Sequence, residues 1–293
     1  MNGLVLIDKP GGCTSHDVVN RWRKLANTKR TGHLGTLDPM ATGLLILITG
    51  TATRLARFFE KQDKTYQAEI TLGKVSDTYD ADGEVVETGA KPPVDAAVIC
   101  QAMEEFRGRF WQMPPLVSAK KISGVPAYKL ARRQMPVQLK PCEVEVKRLE
   151  MQTISADTIR IQVTCSTGTY IRSLAHDLGE RLGCGAVLTR LRRTRIGEFT
   201  VEEAKTVEEL ASLAAAGKLS EAVIPLRHLL TEFPADYFDE SAEAQIRQGR
   251  DFRTSPFVVR TGAPFVRALS RSGELIAIGE LRMPNLYHPS TVL

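Results

Sequence analysis

One acidic side chain, Asp38, stands in a run crowded with glycine, threonine and proline: Thr-Gly-His-Leu-Gly-Thr-Leu-Asp-Pro-Met-Ala-Thr-Gly at residues 31–43. Gly32, Gly35 and Gly43 permit backbone conformations and close approaches that a side chain blocks, and Pro39 fixes the backbone just after Asp38. Such a turn aims Asp38. Two uses of the aspartate compete. Asp is a favoured helix N-cap and Pro a favoured first helical residue, so Asp38 could cap a short helix starting at Pro39. Alternatively, the turn presents a carboxylate to a ligand.

Regular structure flanks the turn. Residues 3–8 read as a short buried strand, followed by a helix with Ser15 as its N-cap and Val18, Val19, Trp22 and Leu25 on its apolar face. Residues 44–48 read as a second buried strand, which places the turn against the core, and residues 52–60 as a helix carrying Leu55, Phe58 and Phe59 inward. Polar and apolar residues alternate over 65–72 and 83–86, on either side of an acidic turn at 77–83. That turn fails as a calcium loop, because Gly89 falls where the bidentate glutamate belongs; it reads as a solvated hairpin turn.

Farther along, residues 94–106 have helical periodicity, and 113–141 form a Pro-, Lys- and Arg-rich excursion around a short helix at 127–134. Residues 143–153 and 158–165 read as paired strands, 170–182 as a helix, 186–199 as a strand bearing Arg190, Arg192, Arg193 and Arg195, and 206–215 as an amphipathic helix. Ala, Gly and Pro between 214 and 225 mark a domain boundary. Beyond it, short apolar runs separated by turns read as a small β-barrel.

With 293 residues, one large domain plus a small one is the natural division. The 39 Lys and Arg against 34 Asp and Glu leave a net charge of +5 and favour a polyanionic partner. Five widely spaced cysteines, with no Cys-x-x-Cys, suggest neither a disulfide framework nor a zinc site. No apolar run is long enough for a signal-peptide core or a membrane span, so a cytoplasmic protein with no membrane partner is expected. Gly183-Cys-Gly185 lacks the third glycine of a dinucleotide-binding turn, and the adjacent Ser15-His16-Asp17 cannot converge as a catalytic triad.

Four further segments accompany the Asp38 run: Leu6-Ile-Asp-Lys-Pro-Gly-Gly12, Lys64-Thr-Tyr66, Cys165-Ser-Thr-Gly-Thr-Tyr-Ile-Arg172 with Asp177-Leu-Gly-Glu and Leu182-Gly-Cys-Gly-Ala186 after it, and Leu191-Arg-Arg193. In this order the segments resemble the motifs of the TruB family, the tRNA pseudouridine synthases that modify uridine 55 in the T-loop. The resemblance implies an α+β pseudouridine synthase fold, a mixed and largely antiparallel sheet flanked by helices, with a small C-terminal β-barrel. On that division residues 1–225 form the catalytic domain, 113–141 an insertion that clamps RNA, and 230–293 a barrel resembling a PUA domain. The barrel rests on Gly249, the Arg-Thr-Gly-Ala-Pro turn at 260–264 and the strand Ile-Ala-Ile-Gly-Glu-Leu at 276–281. Leu34 departs from the small polar residue common in the family, and the C-terminal match is loose.

The reaction so implied is isomerisation of uridine: the glycosidic C–N bond breaks, the uracil turns, and a C–C bond forms through C5, with no cofactor and no metal. Asp38 is the implied catalytic residue, either attacking C1′ or acting as base at the neighbouring carbon, by analogy with glycoside cleavage. A carboxylate in a dry pocket needs an opposite charge to stay ionised, and Arg172 is the implied partner, its pairing expected to lower the Asp38 pKa. Lys9 supports the site. The resemblance further implies that Tyr66 lies against the flipped uracil, that Tyr170 and Leu191 line the same pocket, and that His33 inserts into the RNA where bases are displaced.

The implied partner is tRNA, bound through its T-loop and T-arm, with no obligatory protein or guide RNA. The excursion at 113–141 argues against the guide-dependent relatives. Arg190 to Arg195, with Lys120, Lys121, Lys129, Arg132 and Arg133, are expected to contact phosphates. Two readings from other classes stand beside this one: a non-catalytic RNA-binding protein, and a glycosidase or nucleosidase, for which no second carboxylate occupies a motif position.

Overall fold

The computed structural model describes residues 1–93, 95–116, 121–122, 125–126 and 139–293. The chain opens with β1 (Gly3–Lys9), α1 (Ser15–Leu25), β2 (Thr31–His33) and β3 (Thr42–Thr49), then a 3-10 turn over Gly50–Leu55 that runs into α2 (Ala56–Phe59). Next come β4 (Lys64–Leu72), β5 (Lys74–Ser76), β6 (Val85–Glu87), α3 (Ala96–Glu104), β7 (Gly108–Gln112) and the two-residue strands β8 (Lys121–Ile122) and β9 (Val125–Pro126). The long strands β10 (Cys142–Ser155) and β11 (Thr158–Cys165) precede α4 (Ile171–Arg181), β12 (Ala186–Ile196), β13 (Phe199–Thr200), α5 (Val207–Ala215) and β14 (Ile224–Pro225). The chain ends with β15 (Ala235–Phe238), α6 (Glu240–Arg247), β16 (Phe252–Arg253), β17 (Phe265–Ser270), β18 (Leu275–Met283) and β19 (Leu286–Val292).

The large sheet runs β14-β1-β3-β12-β4-β11-β10-β7, with β2 added to β3 and β13 to β12. Its β3–β12 contact is parallel, whereas β1–β3, β4–β12, β4–β11 and β10–β11 are antiparallel. The mixed α+β class expected from the sequence is thus present. Strands β15-β17-β18-β19-β16 form a second sheet, curled into a half-barrel.

Covering elements explain the hydrophobic patterns. In β1 and β3 both faces are buried. Val5, Ile7, Leu45 and Leu47 join a core with Val18 and Trp22 of α1, Leu174 of α4 and Leu210 of α5. Leu4, Leu6, Leu44 and Ile46 join a second core with Leu55, Phe59 and, from the C-terminal part, Leu229, Leu269 and Ile278. Continuous apolar runs result. In β4 only one face is covered, so Tyr66, Ala68 and Ile70 are buried while Gln67 is exposed. A third core, with Phe238, Ile246, Phe252 and Tyr287, lies within the half-barrel and its helix α6.

Helix α1 differs from expectation at its start. Thr14, not Ser15, is the N-cap: its hydroxyl accepts from the Asp17 amide at 3.1 Å, and Asp17 accepts from the Thr14 amide at 2.9 Å. This reciprocal pair satisfies the first turn and leaves the Ser15 hydroxyl for another task. The expected helix at 127–134, and with it Lys120, Lys129, Arg132, Arg133 and the side chain of Lys121, lies outside the described residues. Among the described residues, no helix is long and apolar enough to cross a membrane.

Candidate active site

Between β2 and β3 the Asp38 turn is held from below. Ser15, at the start of α1, accepts a hydrogen bond from the Leu37 amide at 2.8 Å and donates one to the Leu37 carbonyl at 3.1 Å. Lys9 is fully buried at the end of β1 and donates to the carbonyls of Pro10 at 2.8 Å and Pro39 at 3.2 Å. The Gly12 amide donates to Pro39 as well. No helix follows Pro39; the Ala41 amide returns to the Asp38 carbonyl in a tight turn. The capping use of Asp38 is therefore absent.

Glycine is required where the turn meets β12. At Gly43 φ is +98°, and a Cβ there would lie 2.3 Å from the Arg193 carbonyl oxygen, inside any tolerable contact. Replacing Ser15 by Ala leaves the buried Leu37 amide and carbonyl without this partner. The expected cost is about 1–2 kcal/mol of stability, with a lower kcat and little change in KM. Unchanged thermal unfolding and unchanged kcat would show that the turn does not depend on Ser15.

Arg172 projects from the first turn of α4 and is buried. Its Nη2 donates to Asp38 Oδ1 at 3.0 Å, and its Nε lies 3.0 Å from Asp38 Oδ2, an ion pair in which two nitrogens face the two carboxylate oxygens and the hydrogen bond runs through Nη2. Its remaining edge faces the acidic turn: Nη1 donates to the Thr78 carbonyl at 3.3 Å and lies 3.3 Å from Asp80 Oδ2. The expectation of a solvated hairpin turn is wrong for Asp80, which is buried and accepts from the Thr78 hydroxyl at 2.6 Å and the Asp82 amide at 3.1 Å. The turn folds inward because Tyr79 and Ala81 hydrogen-bond to Leu188 of β12, while the Tyr79 ring stacks on His176 of α4 with centroids 3.9 Å apart.

The pairing does not lower the Asp38 pKa as expected. Removal of water pushes it above the usual aspartate value, Arg172 opposes that, Asp80 and Asp82 add to the rise, and Lys9 opposes it again. One guanidinium shared between two carboxylates does not offset the lost hydration. Asp38 nevertheless keeps a third of its side-chain surface, and that surface faces a cleft of about 510 Å³.

Asp38, Arg172, Tyr66, Tyr170 and Leu191 line this one cleft, together with Lys64, Glu143 and Arg193. Tyr66 and Leu191 approach from neighbouring strands and are nearly buried. Burial pushes the Tyr66 phenol up, and Arg193 pulls it back. Tyr170 is fixed through its backbone by the buried Gln112, whose side chain accepts from the Tyr170 amide at 2.8 Å and donates to its carbonyl at 3.0 Å. Lys9 lies beneath the turn, not in the cleft wall. His33, in β2, is half-buried and also outside the wall; burial, then Arg193 and His16, lower its pKa.

The arginine cluster at 190–195 divides. Arg193 is no phosphate contact: it is fully buried and donates to the carbonyls of Leu44 at 2.8 Å and Gly35 at 2.9 Å, so it braces the turn. Alternation along β12 turns it inward. Arg192 forms a bidentate pair with Asp8 at 3.0 and 2.8 Å, Arg190 stands 3.5 Å from Glu69, and Arg195 donates to the Gly197 carbonyl. Sequence reasoning missed Asp80, Gln112 and the bracing role of Arg193. No local signal marks them, because each acquires its partner from a distant element. Among the described residues, no three His, Cys, Asp or Glu side chains cluster as metal ligands.

Comparison with known proteins matches residues 23–171 to a model described as "TruB family pseudouridylate synthase (N terminal domain)". Residues 172–233 match one described as "tRNA pseudouridylate synthase B C-terminal domain". The tRNA pseudouridine synthase B of Solibacter usitatus is 48% identical over 293 residues, covering all of both chains. That of Pseudomonas fluorescens Pf-5 is 40% identical over 285 residues, 96% of this chain and 92% of its own. Among solved structures, a chain of an H/ACA ribonucleoprotein bound to a substrate RNA containing 2′-deoxyuridine superimposes with a TM-score of 0.72 at 25% identity, covering 99% of this chain and 84% of that one. A chain of a Cbf5-Nop10-Gar1 complex gives 0.70 at 28% identity, with 97% and 79% covered.

Proposed function

The chain belongs to the TruB family and is a tRNA pseudouridine synthase, and from that premise we propose that it acts on uridine 55 in the T-loop, with Asp38 as the catalytic residue. The observation that carries the proposal is the Asp38–Arg172 ion pair in the wall of a cleft that also holds Tyr66, Tyr170 and Leu191. The target nucleotide is flipped from its loop so that the uracil lies against Tyr66, with Tyr170 and Leu191 confining it. His33 fills the space that the displaced nucleotide leaves.

In the reaction the C1′–N1 bond breaks, the uracil rotates, and C5 bonds to C1′; C5 then loses its proton and N1 gains one. Asp38 acts on the sugar, as nucleophile at C1′ or as base at the neighbouring carbon, and both tasks need the ionised carboxylate. Arg172 holds its two oxygens in one orientation, Asp80 and the Thr78 carbonyl hold Arg172, and Lys9 and Ser15 hold the turn. The reaction as written needs no cofactor. Residues 113–141 clamp the RNA, the half-barrel at 230–293 serves as a PUA-like RNA contact, and no partner protein or guide RNA takes part.

The raised Asp38 pKa has a kinetic consequence. Because the protonated acid is inactive, single-turnover rates fall about tenfold per pH unit below that pKa, and the limb stands above the ordinary aspartate value of 3.8. A limb at or below 3.8 would contradict the raised pKa. For the function itself, purified protein is incubated with an unmodified tRNA and with a T-arm minihelix, and pseudouridine is mapped by chemical labelling. One product in the T-loop, formed without any partner, is expected. No product without a partner, or a product elsewhere, overturns the proposal, and free uracil among the products indicates a glycosidase.

A further inference from the structure

We propose that Trp111 is a stacking platform for an unpaired nucleobase of the bound RNA, adjacent to the flipped uridine; this rests on the reading of the chain as an RNA-modifying enzyme. Trp111 lies on β7, the outer strand of the large sheet, and is 71% exposed, whereas Trp22 is 1% exposed. An indole left so far in water on a sheet edge covers none of the three cores.

Its position ties it to the cleft in two ways. Trp111 stands directly opposite Glu143 of β10, a residue of the cleft wall, and such cross-strand partners lie about 5 Å apart. The next residue, Gln112, is the buried clamp on the Tyr170 backbone, so the strand is fixed relative to the wall. Two residues before Trp111, and so on the same face, Arg109 is 70% exposed and, among the described residues, makes a long 3.6 Å contact to Glu145. A flat aromatic beside a cationic side chain suits single-stranded nucleic acid: the ring takes a base face of any identity, and the guanidinium takes phosphate. The occupant inferred is a loop nucleobase unstacked when its neighbour flips. Stacking tolerates any base, so Trp111 contributes affinity and position rather than sequence choice.

The test uses the intact chain and a T-arm minihelix. Trp22 is buried, so RNA-dependent change in tryptophan emission reports Trp111. Saturating RNA is expected to quench that emission and to reduce its accessibility to acrylamide. Trp111→Ala is expected to raise KM for the minihelix by roughly 5- to 100-fold, with kcat within about twofold. Trp111→Phe restores most of the affinity, and thermal unfolding of both variants matches the wild type. Emission that does not respond to saturating RNA overturns the platform, as does an indole already shielded from acrylamide in the free protein, or a KM unchanged in Trp111→Ala. In each of those cases wild-type pseudouridine formation persists. Failure of the functional reading is a different result: wild-type protein that yields no pseudouridine.

Discussion

Asp38→Asn is expected to reduce pseudouridine formation by roughly 10⁴-fold or more, the scale found when a group acting directly on the reacting atoms is removed. RNA affinity should stay within a few fold, because Tyr66, Tyr170 and Leu191 keep their places in the wall. Stability should move the other way. The folded state holds the Asp38 pKa above its ordinary value, so it favours the neutral acid. Stability from that preference is fully present below the unfolded pKa and is lost as pH rises through the folded one. At neutral pH the ionised carboxylate is therefore a burden on the fold. Asparagine carries no charge, and Arg172 retains Asp80 and the Thr78 carbonyl. The variant should unfold at the same temperature as the wild type or higher, and a clear drop would mean that the ion pair stabilises the protein after all.

Arg172→Lys should lower kcat by about 10²- to 10³-fold while leaving a positive charge in place. The guanidinium serves two carboxylates and a carbonyl at once, with separations of 3.0 to 3.3 Å, and a lysine ammonium on a flexible stem cannot reproduce that planar fork. With weaker opposition to desolvation, the acid limb of the rate profile should also move to higher pH. Arg172→Ala goes further. It leaves the Asp38 and Asp80 carboxylates facing a common space without their cation, and a loss of about 3–5 kcal/mol in unfolding free energy is expected. A lysine variant within tenfold of wild-type kcat, and with the same acid limb, would show that charge alone suffices.

The two predictions differ in how far their residues could be read in advance. Asp38 was visible because glycine and proline around one carboxylate mark a turn whose backbone matters, and Arg172 because it ends a run resembling a family motif. Asp80 was hidden. An aspartate in Asp-Thr-Tyr-Asp-Ala-Asp-Gly looks like any solvated turn, and its burial depends on Leu188 and His176, both more than 90 positions away. The inward place of Arg193 is hidden for a similar reason. A basic run along a strand looks like a phosphate-binding face, yet strand alternation sends one of its members inward, where the carbonyls of Gly35 in the Asp38 turn and Leu44 in β3 receive it. From spacing alone Ser15 reads as a cap, and the one-residue shift to Thr14 makes it a tie across the site instead.

By itself, the amino-acid sequence determined the elements that local chemistry specifies. Continuous apolar runs demanded strands covered on both faces, alternation in β4 demanded a strand covered on one, and glycines at 32, 35 and 43 permitted a turn with a left-handed backbone and close neighbours, a freedom used at 35 and 43 but not at 32. It also determined which residue types the chemistry has at hand. Only the tertiary structure decided which charges face one another and whether water stays between them. Asp38 meets Arg172 across 134 positions, and the sign of its pKa shift turned on a balance of burial against that one cation. Desolvation and Coulomb attraction depend on distance in space, which no spacing along a chain records.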